Sequence, residues 1–190
     1  MLTSVQDILF LQNRVAYTRD EQAYKKLFFH FHPALYRFAN NIIKDGLVAD
    51  EIVSDVMMKI WDMGNNLVLV DKLNQYLFTA VKNSCLTYLV KKKNDFLAID
   101  AVSENAYVDT NSNPENILLL SEVQLTIEAA INNLPPQCKL VYRLIKDEGF
   151  SYKEVIGILQ ISQNTLETHM RIALKKIRLA LTNYLAGKKS

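Results

Sequence analysis

Glycine and proline are scarce in this chain of 190 residues, at five and four. An all-β architecture needs turn residues between many short strands, so the shortage disfavours that class and suits helices. No apolar run approaches the roughly 18 residues of a membrane span, and the opening MLTSVQDILF lacks the basic start of a signal peptide. A soluble, cytoplasmic chain with no direct membrane insertion is expected. Cysteine is limited to Cys85 and Cys138, far apart and each inside an apolar helical stretch. Core thiols are therefore expected, rather than a disulfide or a metal pair. No third ligand recurs near His30 and His32, and His169 suits a helix face near DNA better than a metal site. Nucleophiles, carboxylates and histidines converge on no recognisable constellation, which points away from an enzyme and from any cofactor.

The formal net charge of +2 says little, but its distribution is uneven. Residues 71–93 carry five basic groups and one acidic, 94–135 carry seven acidic and no basic ones, and 136–190 carry ten basic and four acidic. Two basic blocks flanking a wholly acidic segment suggest two nucleic-acid-facing units and a connector.

Periodicity agrees with that division. Helical patterns cover 4–17 and then a run opened by Asp20 that continues to Ile42, with Pro33 placed to kink it or end a turn. Asp45-Gly46 is read as the stop of that run. A third helix, 49–63, sets Ile52, Val53, Val56, Met57, Ile60 and Trp61 on one face and Asp50, Glu51, Ser54 and Asp55 on the other. Gly64-Asn65-Asn66 is a turn signal. A fourth helix, 72–93, keeps Tyr76 and Phe78 on or beside its apolar stripe and points Gln75, Thr79, Lys82, Asn83 and Lys91 outward. Residues 94–113 lose periodicity and read as a flexible acidic linker. Pro114 opens a helix to 133, Pro135-Pro136 start another to about 148, and Gly149 ends it. The expected fold is all-α: two small helical domains, 1–93 and 114–190, joined by the linker 94–113.

The stretch 151–181, SYKEVIGILQISQNTLETHMRIALKKIRLAL, is the most informative. Ser151 with Glu154 three residues later is a capping-box signature. Ser162 is a second N-cap candidate, and Ile161 before it suits a buried turn position. Beyond it Leu166, Met170, Ala173, Leu174, Ile177 and Leu181 recur at helical spacing, with Asn164, Glu167, Thr168, Arg171, Lys175 and Arg178 opposite. A short helix, a tight turn and a second helix with a polar, basic outer face make a helix-turn-helix, which reads DNA with its second helix. Two amphipathic helices that merely pack give the same spacing, and terminal cations also suit the helix dipole. Spacing alone leaves both readings open.

Three segments carry a resemblance over nearly the whole chain. They are ADEIVSDVMMKIW at 49–61, LNQYLFTAVKNSCLTYLVKKK at 73–93, and LPPQCKLVYRLIKDEGFSYKEVIGILQISQNTLETHMRIALKKIR at 134–178. In this order, on either side of the acidic linker, the chain resembles an alternative sigma factor of bacterial RNA polymerase. Within the sigma-70 family the resemblance is to the extracytoplasmic-function group (group 4). It implies a promoter-specificity subunit that binds core polymerase, through the clamp of the largest subunit and the flap of the second, together with promoter DNA. It also implies that an anti-sigma protein, often membrane-linked, holds the idle chain, and a free linker would let the two units close on each other or on that inhibitor.

Residue by residue, the resemblance makes Asp50, Glu51, Ser54 and Asp55 the polymerase-docking positions, and acidic groups there suit steering toward a basic partner. Capturing an opened −10 element needs side chains that hold unstacked bases, because opening a duplex costs about 1.4 kcal/mol per base-pair step. Asn65, Asn66, Asn74, Gln75, Lys82 and Asn83 supply amides and charge for this, with Lys91, Lys92 and Lys93 at phosphates. For the −35 element the reading positions are Ser162, Gln163, Asn164, Thr165, Glu167, Thr168 and Arg171. Arg171 suits guanine, and Gln163 or Asn164 suits adenine. Lys175, Lys176 and Arg178 lie further along, at phosphates.

Several positions depart from the family pattern. The usual turn glycine is Gln160, where a left-handed backbone would cost about 1–2 kcal/mol. A customary small residue is Ile156, Thr87 and Val90 replace an Asp and an Arg, and Ser54 replaces a Gln. Two other functions fit the same helices: a stand-alone helix-turn-helix regulator binding DNA as a dimer, or an anti-sigma-like scaffold that binds only proteins.

Overall fold

Local capping chemistry sets where each helix begins. The computed structural model describes residues 5–98 and 122–187, and these are all-α. They belong to two units. The first contains α1 (Val5–Thr18), α2 (Glu21–Ile43), α3 (Gly46–Asp62), a 3-10 turn (Gly64–Leu69) and α4 (Leu73–Ala98). The Asp20 carboxylate accepts from the N–H groups of Gln22 and Ala23 and starts α2. That helix continues through Pro33, so the proline ends no turn. The Asp45-Gly46 pair also departs from its expected role. Lys44 terminates α2 in the left-handed region, and Asp45 caps α3 by accepting from Leu47 and Val48. An Asp-Gly pair resembles a stop, yet here the carboxylate serves the orphan donors of the next helix. Gly46 leaves room for the Tyr36 hydroxyl of α2, which would lie 2.8 Å from a Cβ there and would have to shift.

Apolar stripes from three helices meet in the first core. Leu27, Phe31, Leu35 and Phe38 come from α2, Val53, Val56, Met57 and Ile60 from α3, and Leu77, Phe78, Val81 and Cys85 from α4, all buried. Phe38 and Phe78 meet edge to face with ring centres 5.1 Å apart, the geometry aromatic quadrupoles favour. Tyr76 differs from its expected core placement and is 38% exposed. Burial pushes the Cys85 thiol up to about 12, so it behaves as a neutral apolar filler; Cys138 is buried as well. Helix α4 extends five residues past the expected boundary, so 94–98 of the expected linker are helical. Residues 99–113 of that linker, and the expected helix start at Pro114, lie outside the described residues.

The second unit contains α5 (Glu122–Asn132), α6 (Pro136–Lys146), α7 (Tyr152–Leu159) and α8 (Gln163–Gly187). Ile131, Leu134 and Cys138 pack with Ala173 and Ile177 of α8. Arg143 ties α6 to α5 through Glu128 and pairs with Asp147 one turn on. Val155 and Ile158 bury α7, while Leu166 and Met170 bury the start of α8. Among the described residues no helix is long and apolar enough to cross a membrane.

Truncating Phe78 would leave a cavity where three stripes meet. Phe78→Ala is expected to lower stability by about 3–5 kcal/mol, read from urea unfolding followed by circular dichroism.

Candidate nucleic-acid interface and partner-docking face

The turn of the helix-turn-helix is built from 160–162. Ser151 and Glu154 form the full capping box that opens α7, and Gln160 closes it at φ 56, ψ 46, with its N–H on the Ile156 carbonyl at 2.8 Å. A non-glycine residue thus takes the left-handed position, and Ile161 is half-buried rather than buried. Ser162 starts α8: its Oγ accepts from the Thr165 N–H at 3.1 Å and lies 2.8 Å from the Thr165 hydroxyl. Both hydroxyls are engaged in this cap. They set the pitch of the first turn rather than extending freely from it.

Beyond the cap, α8 divides into two faces. Gln163, Asn164, Glu167, Arg171, Lys175 and Arg178 are exposed, and Thr165 and Thr168 are half-buried. From Asn164 to Arg178 the row follows steps of three and four, spanning roughly 21 Å at the helical rise. Gln163 Nε2 donates to Glu167 Oε1 at 2.8 Å, so the carboxylate is partnered within the row. Leu174, expected on the inner stripe, is 45% exposed. With Tyr152 and Met170 it lines a groove edged by Arg171, Lys175 and Arg178, giving the cationic face an apolar component that periodicity assigned to the core. His169, expected on a helix face near DNA, turns one ring nitrogen toward α6. It is half-buried, with Nδ1 3.4 Å from the Cys138 sulfur on α6. Burial pushes the Cys138 thiol up, with Lys176 acting in the opposite direction. Among the described residues no three His, Cys, Asp or Glu side chains are grouped to hold a metal.

In the first unit the 3-10 turn presents Asn65 and Asn66 to solvent and sinks Leu67 into the core. Asn74 and Gln75, at the start of α4, are half-buried, while Asn83, Lys91, Lys92 and Lys93 are exposed. Lys82 must be removed from the outward set. It is 5% exposed on the arc of α4 that also carries Phe78, Val81 and Cys85. That helix is covered by α2 and α3, so its buried arc is wider than a single stripe and takes in the lysine stem.

On α3, Asp50, Glu51 and Asp55 are exposed and Ser54 is half-buried. Asp50 pairs with His32 of α2 at 3.0 Å. Leu47 and Met58, which the apolar pattern did not single out, stand 87% and 57% exposed on this helix. At helical spacing they bracket Glu51 and Asp55, giving an acidic ridge with apolar ends.

Two further side chains escaped the sequence reading. Gln12 of α1 is buried, with Nε2 donating to the carbonyls of Leu67 at 2.7 Å and Val70 at 2.8 Å. Arg19 donates to the Trp61 carbonyl and lies 4.3 Å over the Trp61 ring. The available signal was a lone amide between Leu11 and Val15 on an apolar helix face, since buried polar groups find partners.

Comparison with known proteins follows the two units. Residues 27–94 match the family described as Sigma-70 region 2, and residues 124–177 match Sigma-70, region 4. The RNA polymerase sigma factor SigZ of Bacillus subtilis is 23% identical over 80% of this chain and 82% of its own length. The RNA polymerase sigma-H factor of Pseudomonas aeruginosa is 22% identical over 95% and 96%. The ECF RNA polymerase sigma-E factor of Escherichia coli is 22% identical over 80% and 82%. In fold, the chain is similar to the sigma factor RpoE solved with the anti-sigma factor NepR from Bartonella quintana. That match has a TM-score of 0.61 and 22% identity, covering 84% of this chain and 96% of that one. It is also similar to CnrH solved with the cytosolic domain of CnrY, with a TM-score of 0.56 and 15% identity over 93% and 98%.

The strained turn makes a stability test available. Gln160→Gly is expected to stabilise the chain by about 0.5 kcal/mol, the left-handed penalty less the extra unfolded-chain entropy of glycine, read as a rise in the urea midpoint.

Proposed function

Because this chain belongs to the sigma-70 family, as an extracytoplasmic-function sigma factor that directs core RNA polymerase to promoters and initiates transcription there, we propose a division of labour between its units. The observation that carries it is the exposed row Asn164–Glu167–Arg171–Lys175–Arg178, which follows directly on a capped tight turn. The second unit, 114–190, reads the −35 duplex with the start of α8 in the major groove. Gln163, Asn164 and Arg171 face base edges, and Lys175 and Arg178 face phosphates further along. Glu167, held by Gln163, orients that amide, and the Ser162–Thr165 cap fixes where the helix enters.

The first unit, 1–93, opens and holds the −10 element. Asn65 and Asn66 on the 3-10 turn, with Asn74, Gln75 and Asn83 on α4, meet unstacked bases, and Lys91 and Lys92 meet the backbone. Exposed Tyr76 adds an aromatic face beside these amides, which suits stacking; Lys82 has no part. Asp50, Glu51, Ser54 and Asp55, with Leu47 and Met58, dock on the polymerase clamp, while the second unit meets the flap. No catalytic step falls to this chain; polymerase supplies the chemistry, and the work is done in the cytoplasm. The sigma factor RpoE, of similar fold, was solved in complex with the anti-sigma factor NepR. An anti-sigma protein, often membrane-linked, would hold this chain when it is idle.

Run-off transcription with core polymerase on a genomic library tests the whole reading and yields the promoter motif. No initiation with core enzyme would overturn it in favour of a stand-alone regulator. With that promoter, Arg171→Ala should cost about 1–3 kcal/mol of base discrimination at one −35 position, whereas Lys175→Ala should weaken all sequences alike and reduce the salt slope by about 1. Asp55→Lys should weaken core binding at unchanged helical content; unchanged affinity would count against the clamp assignment.

A further inference from the structure

The −10 reading places base capture on a short turn that cannot hold its own shape. A six-residue 3-10 stretch has poor internal hydrogen-bond geometry, and a segment so short is not stable as a helix alone. Leu67 anchors it from inside and Asn65 and Asn66 face outward, but its exit, and the last turn of α3 that leads into it, are held by side chains from another part of the chain.

At the exit, Gln12 uses both hydrogens of one amide. Nε2 donates to Leu67 O at 2.7 Å and to Val70 O at 2.8 Å, and the Val70 N–H itself returns to Leu67 O at 3.2 Å. These bonds fix the last turn against α1 with the amide 2% exposed, so water cannot readily replace it. At the entry, Arg19 donates to the Trp61 carbonyl and lies over the Trp61 ring. Arg19 sits at φ 50, a left-handed conformation for a non-glycine residue, and Gly64 next to its guanidinium takes φ 51. Both anchoring residues precede the region 2 match, which begins at 27.

We propose that Gln12 and Arg19 are positioning residues for −10 recognition. From α1 and the turn that follows it, they set the conformation of 64–69, so that Asn65 and Asn66 meet unstacked bases in one fixed register. The inference rests on the −10 reading above. A turn already ordered before binding loses less conformational freedom when it captures a base, which favours recognition of one sequence over its neighbours.

The test uses the full-length chain with core polymerase, on the promoter recovered by run-off selection and on templates with single −10 base changes. Gln12→Leu should lower initiation on the parent promoter about ten-fold, the scale of losing paired buried hydrogen bonds. It should also bring the −10 variants closer to the parent in activity, with core binding unchanged. A merely structural defect would lower all templates by one factor and leave their ratios intact. Arg19→Gln, at an exposed side chain, should narrow the same ratios and decides the matter alone if Gln12→Leu does not fold. Asn65→Ala together with Asn66→Ala is the reference. If that double variant leaves the ratios native, the −10 reading itself fails. If it narrows them while Gln12→Leu and Arg19→Gln keep native ratios, the positioning inference alone is overturned.

Discussion

One buried amide with two carbonyls to satisfy determines much of the first unit. Gln12 bridges Leu67 and Val70 from a helix more than fifty residues away in sequence. A buried donor left without a partner is costly, so α1 must lie where its amide reaches the turn, and the turn must present both carbonyls to it. Packing follows from the same constraint. Leu11, Val15 and Ala16 bury alongside Gln12, and Leu67 drops into the core beneath it. The two asparagines between Gly64 and Leu67 are then left facing solvent, which is the condition for meeting a base.

The second unit meets a related demand by different means. For the proposed reading, α8 must keep a polar row exposed while its other face carries the core. Ser162 fixes the first turn of α8 through Thr165, and Gln160 accepts a left-handed backbone to reverse the chain. Inside, Leu166, Met170, Ala173 and Ile177 secure the helix, and the Cys138–His169 contact ties it to α6. Rigidity on the inner face keeps the outer row in a fixed orientation.

In the proposed reading, docking and DNA recognition fall on different elements of the first unit. The acidic ridge of α3 has apolar ends at Leu47 and Met58, so it can bury surface against a partner as well as attract it. The amide and lysine positions lie on the 3-10 turn and on α4. Opposite charges on different elements would let one small unit hold a protein and a nucleic acid together, as proposed.

Much of this was readable in the sequence because it depends on neighbours a few residues apart. Capping at Asp20, Ser151 and Ser162 is local and appears where spacing placed it, and most of the buried stripes and of the polar row of α8 follow their period. Contacts between distant segments were not readable. Lys82 lies at an outward phase of a simple stripe, but two helices cover α4 and widen its buried arc. Leu174 and Tyr76 occupy inward phases, yet among the described residues the packing leaves them 45% and 38% exposed. Asp45 opens a helix rather than closing one because its carboxylate reaches Leu47 and Val48, a matter of backbone geometry. Gln12 was a polar residue on an apolar face until folding brought the Leu67 and Val70 carbonyls to it. Sequence by itself determined where helices form and which faces carry charge, because those follow from local hydrogen bonding and periodicity. Tertiary structure alone decided which of those faces remain open and what holds the turn between α3 and α4, because burial and pairing are set by the elements packed against them.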